Sequence, residues 1–380
     1  MREIVACKAL LQIAEEEIEC LCGRRCEQGA EREYFRAGTA PSYVHMESRR
    51  ESMRRPRVRR REANGSSSEV ELESWKVAQS AEEFAEAVQS AVLAGVSTRR
   101  VTEVQPGQSL GNGRSTVSKL WQKRAAELVE ELQHSDLGQF DLLVLMLDAV
   151  VLDDGLVATV ALGFDTEGRK QVLGYRVGSS ENAEVAKDLL RGLMNRGLRL
   201  DGKDGKRRLL AVLDGSKALK NAVLEVAPRA LIQRCLVHKE RNIRGYLSKQ
   251  HWGRLAHLWN RLRKAQGPED GKQALEAIEA FLSDKNAQAR ESLQEAEGEL
   301  LTVHGLNVPN TLHRALLSTN SIENAFKNLR RHLGRVSRWR DDTRQADLWL
   351  ASGLTLAQRG FRRVNGHTEL GELVQALTVD

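Results

Sequence analysis

The middle of the chain begins with apolar runs of strand length. Residues 142–152 form the run LLVLMLDAVVL, which is typical of a strand covered on both faces. Residues 155–164 and 170–177 also have strand character, and the turn sequences DDG and DTEG separate the three segments. The pattern therefore predicts three consecutive strands.

Helices and strands alternate after these three strands. Residues 181–197 carry the apolar stripe of an amphipathic helix. A strand, a helix, a strand and a helix then follow in turn, over residues 207–215, 216–226, 230–235 and 238–247. The order β-β-β-α-β-α-β-α is typical of the ribonuclease-H-like layout, an α/β fold with a mixed sheet. No glycine-rich phosphate loop interrupts it, which argues against a nucleotide-binding sheet.

The segment after the last predicted strand is helical almost throughout. Within residues 249–310, one apolar stripe at helical spacing includes Trp252 and Trp259. We predict that this block is an all-helical insertion in an α/β domain that spans residues 141–340. The remainder, 341–380, is predicted to be helical and basic.

The first third of the chain has a helical pattern with interruptions. Residues 1–40 predict one or two short helices, and residues 62–69 have the composition of a linker. Residues 81–104 and 114–132 predict two helices around the Gly/Pro/Asn loop at 105–113. This pattern indicates a helix-turn-helix, and an ordinary helical hairpin fits it as well.

The second of these helices is the candidate for contacts with nucleic acid. Arg114, Lys119 and Lys123 would face outward from it, as a recognition helix requires. We therefore interpret residues 81–135 as a helix-turn-helix-like DNA-binding region, which makes the N-terminal part of the fold helical.

Charge adds a second basic feature to the N-terminal region. The chain has 380 residues and a net charge of +6, which is compatible with a nucleic-acid partner. Residues 49–61, RRESMRRPRVRRR, contain eight Arg and one Glu. Such a run is either a solvated, disordered tail or an arm that binds phosphates. Residues 1–80 are interpreted as a region with this Arg-rich arm and a linker.

Hydropathy and cysteine usage narrow the class of protein. No apolar stretch reaches the length of a transmembrane helix, and the start of the chain lacks the apolar core of a signal peptide. The five cysteines, an odd number at irregular spacing, do not indicate a disulfide framework. Cys20, Cys22 and Cys26 lack a fourth zinc ligand at standard spacing. We expect a cytoplasmic protein.

Two carboxylates are predicted to meet at the centre of the sheet. Asp148 closes the first apolar strand and Asp214 closes the fourth. In the predicted topology these strands are neighbours, so their carboxyl ends bring the two side chains together. A charge at the end of a buried strand is costly unless it is paired or used. A DG turn is the alternative explanation for Asp214.

A third carboxylate lies on the predicted helix STNSIENAFKNLRR, residues 318–331. Glu323 is at the edge of its apolar stripe, next to Asn320, and Lys327, Arg330 and Arg331 follow. We expect the amide to support Glu323 and the cations to contact DNA phosphates. A polar helix face with a Glu323–Lys327 pair would explain the same residues.

Three carboxylates indicate a metal site for hard cations. Oxygen ligands without Cys or His suit Mg²⁺ or Mn²⁺. Two such ions about 3.5–4 Å apart can activate an oxygen nucleophile and stabilise the leaving oxygen of a phosphodiester. Asp148, Asp214 and Glu323 are therefore both the candidate catalytic residues and the candidate metal ligands.

Several blocks together resemble a known family. LDAV, VLDGSKALKNAV, LIQRCLVHKERNI and LSTNSIENAFKNLRR are similar to the signature blocks of Mutator-type transposases of bacterial insertion sequences, which are DDE recombinases. GVSTRRVTEV and STVSKLW resemble the DNA-binding segment of that family. The resemblance covers roughly residues 90–378 and departs mainly in residues 1–80, which are interpreted as divergent.

The resemblance implies a fold, an activity and a set of residues. It implies a ribonuclease-H-like catalytic domain with a helical insertion before the final Glu, and the triad Asp148, Asp214 and Glu323. It also places Cys235 and His238 near the active site, as the Cys-x-x-His element of the family. A packed cysteine and a capping histidine are the alternative interpretation of that pair.

The expected function is metal-dependent DNA cleavage and strand transfer at the ends of an insertion sequence. Water attacks first and a 3′-hydroxyl second, with the same pair of Mg²⁺ or Mn²⁺ ions serving both steps. The partners are double-stranded DNA, as terminal inverted repeats and as target, and further copies of the chain in a dimer or larger assembly. The alternatives are a catalytically decayed DNA-binding relative and a ribonuclease-H-like nuclease, which needs no helix-turn-helix.

Overall fold

The computed structural model describes residues 2–23, 33–46, 49–62, 65–79, 89–95, 114–180, 182–334, 336, 338–340 and 344–379. The chain divides into two compact units, Met1–Ala125 and Ala126–Asp380. Among the described residues, no helix combines the length and the apolar character needed to cross a bilayer.

The N-terminal unit contains a small antiparallel sheet with helices packed on it. Its elements are α1 (Arg2–Cys22), β1 (Tyr34–Met46), β2 (Arg49–Arg61), β3 (Ser67–Val70) and α2 (Glu73–Gln79), and the strand order is β1-β2-β3. Ile18 of α1, Val44 of β1, Val58 of β2 and Trp75 of α2 are buried together in one apolar cluster. This core fixes which faces of the strands are covered.

The Arg-rich run at 49–61 is therefore not a disordered tail, so that alternative was wrong; whether the run binds phosphates stays a prediction. It is the central strand β2, hydrogen-bonded to β1 on one side and to β3 on the other. Glu69 on β3 forms ion pairs with Arg55 and, at 2.8 Å, with Arg57. Strand pairing and carboxylates from neighbouring segments hold a sequence that looks disordered by composition alone.

Two further N-terminal predictions are corrected by the same sheet. Residues 1–40 do not form only short helices, because α1 is 21 residues long and β1 begins at Tyr34. The predicted linker at 62–69 contains the third strand, which starts at Ser67.

The structure describes only part of the predicted helix-turn-helix. Its second helix is present as α3 (Arg114–His134), and residues 89–93 are helical. The loop at 105–113 and most of 81–104 lie outside the described residues, so the motif stays a prediction. Lys119 and Lys123 are exposed on α3, and the side chain of Arg114 lies outside the description.

The larger unit is a mixed α/β structure built on a five-stranded sheet. Its strands are β4 (Leu142–Asp153), β5 (Leu156–Asp165), β6 (Lys170–Gly178), β7 (Leu210–Leu213) and β8 (Leu231–Arg234). They lie in the order β6-β5-β4-β7-β8, with β4, β5 and β6 antiparallel and β4, β7 and β8 parallel. The first and fourth strands of this unit are neighbours, as predicted.

Helices cover both faces of the sheet, which explains the apolar run in β4. Leu145 and Leu147 pack in a cluster with α4 (Ala183–Asn195) and α5 (Lys217–Val226). Val144 and Met146, which alternate with them, belong to a second cluster on the opposite face. Since neighbouring residues of a strand point to opposite faces, a strand buried on both sides must be apolar at every position.

The predicted helical block follows β8. It is preceded by α6 (Leu236–Gly245) and contains the 3₁₀ turn Lys249–His251 and five α-helices: α7 (Trp252–Lys264), α8 (Gly267–Ser283), α9 (Ala287–Gln294), α10 (Glu297–Leu300) and α11 (Thr302–Gly305). A further helix, α12 (Asn310–Leu316), begins at the last residue of the block. Trp259 is completely buried and donates its indole N–H to the Leu236 carbonyl at 2.9 Å. Trp252 is partly buried and donates to the Leu247 carbonyl at 3.1 Å.

Buried polar groups of β8 connect this block to the sheet. The Gln233 side chain accepts from the Val303 N–H at 2.9 Å and donates to the Leu300 carbonyl at 3.2 Å. Arg234, which is 5% exposed, donates to Glu299 at 2.8 Å. Because the block supplies several of the partners of these groups, its removal would leave some buried donors and acceptors unsatisfied.

The C-terminal part is helical and packs on the same unit. It contains α13 (Asn320–Leu333), α14 (Gln345–Arg359), the 3₁₀ turn His367–Glu369 and α15 (Leu370–Leu377). The Gln358 side chain accepts from the Val172 N–H of β6 at 2.7 Å, and the Arg208 N–H donates to the Leu377 carbonyl at 2.9 Å. These contacts attach α14 to the edge strand β6 and α15 to the segment just before β7.

Candidate active site

Strand register places the two aspartates side by side. Leu147 of β4 and Leu213 of β7 form the last residue pair of the parallel ladder, and Asp148 and Asp214 follow them directly. Neighbouring strands are about 4.7–4.9 Å apart. The two carboxylates therefore start from adjacent backbone positions at the end of the ladder.

One detail of the prediction for Asp148 was wrong. Asp148 does not close its strand, because β4 continues to Asp153 and Asp148 pairs with Val160 of β5. Only the pairing of β4 with β7 ends before Asp148, because β7 stops at Leu213. On the side of β5, Asp148 is therefore within a continuous pair of strands. On the side of β7, it lies just past the end of the parallel ladder.

Asp214 is a turn residue as well as a candidate site residue. Its Oδ1 accepts from the Ser216 N–H at 2.9 Å, and Ser216 in turn caps α5. Gly215 has a φ of +122°, a left-handed value that favours glycine. A Cβ at Gly215 would also collide with the Arg234 guanidinium. The DG turn therefore holds Asp214 in place.

Glu323 is supplied by the first turn of α13. Ile322 and Phe326, one on each side of it in sequence, are buried in the core, so Glu323 lies at the rim of the covered face. Its Oε1 accepts from the Thr319 hydroxyl at 3.0 Å and lies 3.2 Å from the His238 Nε2. Two contacts thus hold one oxygen of this carboxylate.

The three carboxylates line one cavity of about 520 Å³. Of the other predicted residues, His238, Asn320, Lys327 and Arg330 also line it. Oxygen donors from three separate elements around one cavity are the ligand set that suits hard divalent cations. The set present here therefore fits Mg²⁺ or Mn²⁺.

The remaining predicted residues are elsewhere. Cys235 is buried next to this site, and Arg331 is exposed on α13 without lining the cavity. Lys119 and Lys123 are on α3 in the N-terminal unit.

Arg241 and Asn324 line the cavity too; the sequence pattern placed Asn324 beside Glu323, and Arg241 was not predicted. Their spacing was the available signal, because Arg241 is one helical turn from His238 and Asn324 is one turn from Asn320.

Cys235 and His238 perturb each other. Burial alone raises the pKa of the Cys235 thiol, but the His238 ring and the Thr319 donors outweigh burial, and the pKa is lowered. The Cys235 sulfur is the main reason that the pKa of His238 is raised to about 9, against burial and with help from Glu323 and Asp214. The raised pKa favours the charged form of His238, which would offset nearby negative charge.

Comparison with known proteins agrees with this picture. A family model for transposases of the Mutator family matches residues 2–345, including the N-terminal region in which the resemblance was weakest. The transposase for insertion sequence element IS905 of Lactococcus lactis is 29% identical over 62% of this chain and 59% of its own length. That for IS6120 of Mycolicibacterium smegmatis is 29% identical over 59% of this chain and 68% of its own length.

A third relative gives the same picture. The transposase for insertion sequence element ISRM5 of Rhizobium meliloti is 30% identical over 62% of this chain and 59% of its own length. The chain thus spans about six tenths of the length of such relatives. Because the family model covers far more than half of the sequence, the chain belongs to the Mutator family of transposases.

Proposed function

We propose that this protein is a DDE transposase, which cuts DNA at the ends of an insertion sequence and joins those ends to target DNA. The observation that carries the proposal is the cavity shared by Asp148, Asp214 and Glu323. The strand order β6-β5-β4-β7-β8, with an aspartate on each of the two central neighbours, supports a ribonuclease-H-like catalytic domain.

Asp148, Asp214 and Glu323 would hold the divalent ions. Bound Mg²⁺ or Mn²⁺, as a pair, supplies activation of the attacking oxygen and stabilisation of the leaving oxygen. The protein contributes position: backbone N–H groups of Ala149 and Ser216 hold one oxygen of each aspartate, at 2.8 and 2.9 Å. Held carboxylates need little reorganisation when a substrate arrives.

Cations around the cavity would receive the DNA backbone. Arg241, Lys327 and Arg330 line it together with the carboxylates, and all three are exposed. Guanidinium groups bind phosphates in a bidentate manner, and an ammonium group binds them as a point charge. We expect these groups to orient the scissile phosphate toward Asp148 and Asp214.

The domain organisation that goes with this function has four parts. Residues 1–80 and the helix-turn-helix-like region 81–135 bind DNA, and residues 141–340 carry out the chemistry. The helical insertion 249–310 covers the cleaved end, and the C-terminal region 341–380 supports the catalytic domain. The substrates are terminal inverted repeats and target DNA, bound by a dimer or larger assembly in the bacterial cytoplasm at the nucleoid.

A strand-transfer assay tests the proposal. Duplexes that carry the repeats flanking the element should be nicked at their ends and joined to a target plasmid, in Mg²⁺ or Mn²⁺ and not after chelation. Equal cutting of random duplexes would favour the nuclease alternative. Specific binding without any cleavage would favour a decayed DNA-binding relative.

Salt dependence tests the part that α3 plays in DNA binding. Lys119→Ala and Lys123→Ala should each reduce the slope of log affinity against log salt by about one unit, because each lysine neutralises about one phosphate. Lys285→Ala, an exposed lysine of the helical block, is the matched control and should leave the slope unchanged. A slope that stays the same in both α3 variants would remove α3 from the DNA interface.

A further inference from the structure

Cys235, His238 and Glu323 form a second cluster of potential metal ligands. The Cys235 sulfur, a His238 ring nitrogen and a Glu323 oxygen all lie within 4.8 Å of one another. Zinc bonds of about 2.0–2.3 Å in a tetrahedral arrangement put ligand atoms roughly 3.3–3.7 Å apart. The Nε2 of His238 and the Oε1 of Glu323 are already 3.2 Å apart. Small side-chain movements would therefore close the cluster around one ion.

Thr319 points two hydrogen-bond donors at the Cys235 sulfur. The sulfur is fully buried and accepts from the Thr319 N–H at 3.4 Å and from the Thr319 hydroxyl at 3.3 Å. Donors of this kind orient metal-ligating groups and are worth about 10–100-fold in metal affinity. The Thr319 hydroxyl also lies 3.0 Å from the Glu323 Oε1, so its single proton is shared between two of the three ligands while the Thr319 N–H stays on the sulfur.

One ring nitrogen of His238 has no hydrogen-bond partner among the described residues. Within the part of the chain that the structure describes, its Nδ1 is buried and has no hydrogen-bond partner of ordinary geometry. Thiolate, imidazole and carboxylate together form a donor set that selects zinc-like ions, whereas magnesium and manganese favour oxygen donors. The cluster thus differs in chemistry from the Asp148–Asp214 pair beside it.

We propose that Cys235, His238 and Glu323 bind a borderline-soft divalent cation such as Zn²⁺, and that this ion opposes occupation of the hard-cation site because both sites use Glu323. The second half of this statement rests on the proposed transposase function. One carboxylate cannot give its full charge to ions on both sides, and a further dication a few ångströms away repels the catalytic ions.

Cobalt binding tests the site without reference to activity. Co²⁺ added to the metal-free, full-length protein should give one thiolate-to-cobalt charge-transfer band, which Zn²⁺ displaces. Cys235→Ser should abolish the band, and Cys20→Ser, an exposed cysteine of α1, should keep it. A band that survives in Cys235→Ser and disappears in Cys20→Ser would overturn the site.

Two further variants separate this site from the carboxylate pair. Thr319→Val, which is close in volume, should weaken Zn²⁺ binding by about 10–100-fold through the lost hydroxyl. Asp214→Asn should keep the thiolate band, since Asp214 is not among the three ligands. If Asp214→Asn removed the band and Thr319→Val left Zn²⁺ affinity intact, the ion would belong to the hard-cation site and the proposal would be wrong.

A magnesium titration tests the opposition between the two sites. Zn²⁺ at a concentration that fills the cobalt-detected site should raise the Mg²⁺ concentration needed for half-maximal cleavage, and excess Mg²⁺ should restore the rate. An unchanged Mg²⁺ requirement would overturn the opposition. The cobalt band is read without any substrate, so failure of the transposase proposal would leave that result standing.

Discussion

Asp214→Asn is expected to abolish DNA cleavage and strand transfer while the protein still binds DNA. The substitution keeps the volume of the side chain and removes one charged oxygen ligand. Without that charge the site cannot hold two dications or activate the attacking oxygen. We expect the rate to fall by at least about three orders of magnitude, which corresponds to roughly 4 kcal/mol of transition-state stabilisation.

Other carboxylate substitutions in the same protein can be compared with Asp214→Asn. Asp148→Asn and Glu323→Gln should lose activity to a similar degree, and any double variant should lose little more, because residues that act as one unit are not additive. Asp153→Asn is the matched control: Asp153 is exposed at the end of β4, and its carboxylate accepts from the Asp154 N–H at 2.9 Å in a local turn. Asp153→Asn should leave the rates of cleavage and strand transfer nearly unchanged.

Cleavage and gel-shift measurements on the same DNA in Mg²⁺ check this prediction. DNA affinity should stay constant or rise in Asp214→Asn, because one negative charge leaves a cavity that faces phosphates. Wild-type cleavage by Asp214→Asn would remove the metal mechanism. Loss of cleavage together with loss of DNA binding would point to a misfolded protein instead, which circular dichroism would detect.

Trp259→Ala should destabilise the larger unit by about 3–5 kcal/mol, the usual cost of truncating a buried large aromatic side chain. Trp259 is fully buried, lies in the cluster that also contains one face of the sheet, and donates to the Leu236 carbonyl at the start of α6. Removing it leaves a cavity between the helical block and the sheet and takes one donor away from the Leu236 carbonyl. Urea denaturation followed by circular dichroism at helix wavelengths measures the loss.

Trp259→Phe separates the two contributions. It keeps most of the apolar volume and removes the indole N–H, so its cost should be smaller, about 1–3 kcal/mol. Trp252→Ala should also cost less than Trp259→Ala, because Trp252 is only partly buried. Equal stability of Trp259→Ala and the wild type would show that the block does not depend on this contact.

The tertiary structure shows that the helical block should be tested by point substitution and not by deletion. From sequence, 249–310 looks like an insertion that could be deleted to test its part in strand transfer. In the structure its helices share one apolar cluster with β4, β5 and β6, and they satisfy buried groups of β8. Deletion would therefore unfold the sheet, and point substitutions such as Trp259→Phe are the usable test.

Local pattern determined much of the catalytic unit. The apolar run at 142–152, the turns after it and the alternation that follows predicted all five strands of the larger sheet and the helices between them. The stripe on 318–331 predicted α13 with Glu323 at its rim. These features succeed because side-chain periodicity is set by backbone geometry within one element.

The local pattern of apolar and polar residues could not predict pairing between strands that are distant in the chain. The Arg-rich run at 49–61 has no apolar alternation, and only partners on both sides, β1 and β3, make it a strand. Likewise, β4 runs past Asp148 because β5 continues to pair with it, although the neighbouring parallel strand has ended. Hydrogen bonds between strands come from distant segments, and strand character depends on that context.

By itself the sequence determined the order of elements in the catalytic unit, the resemblance to Mutator-type transposases, and which carboxylates to consider. Tertiary structure alone decided that Asp148 and Asp214 follow the same residue pair of a parallel ladder. It also decided that Thr319 contacts both Glu323 and Cys235, which is 84 positions away from Thr319 in the chain. The physical reason is that periodicity and composition act over a few residues, whereas a site depends on distances between segments that only packing of the whole core can set.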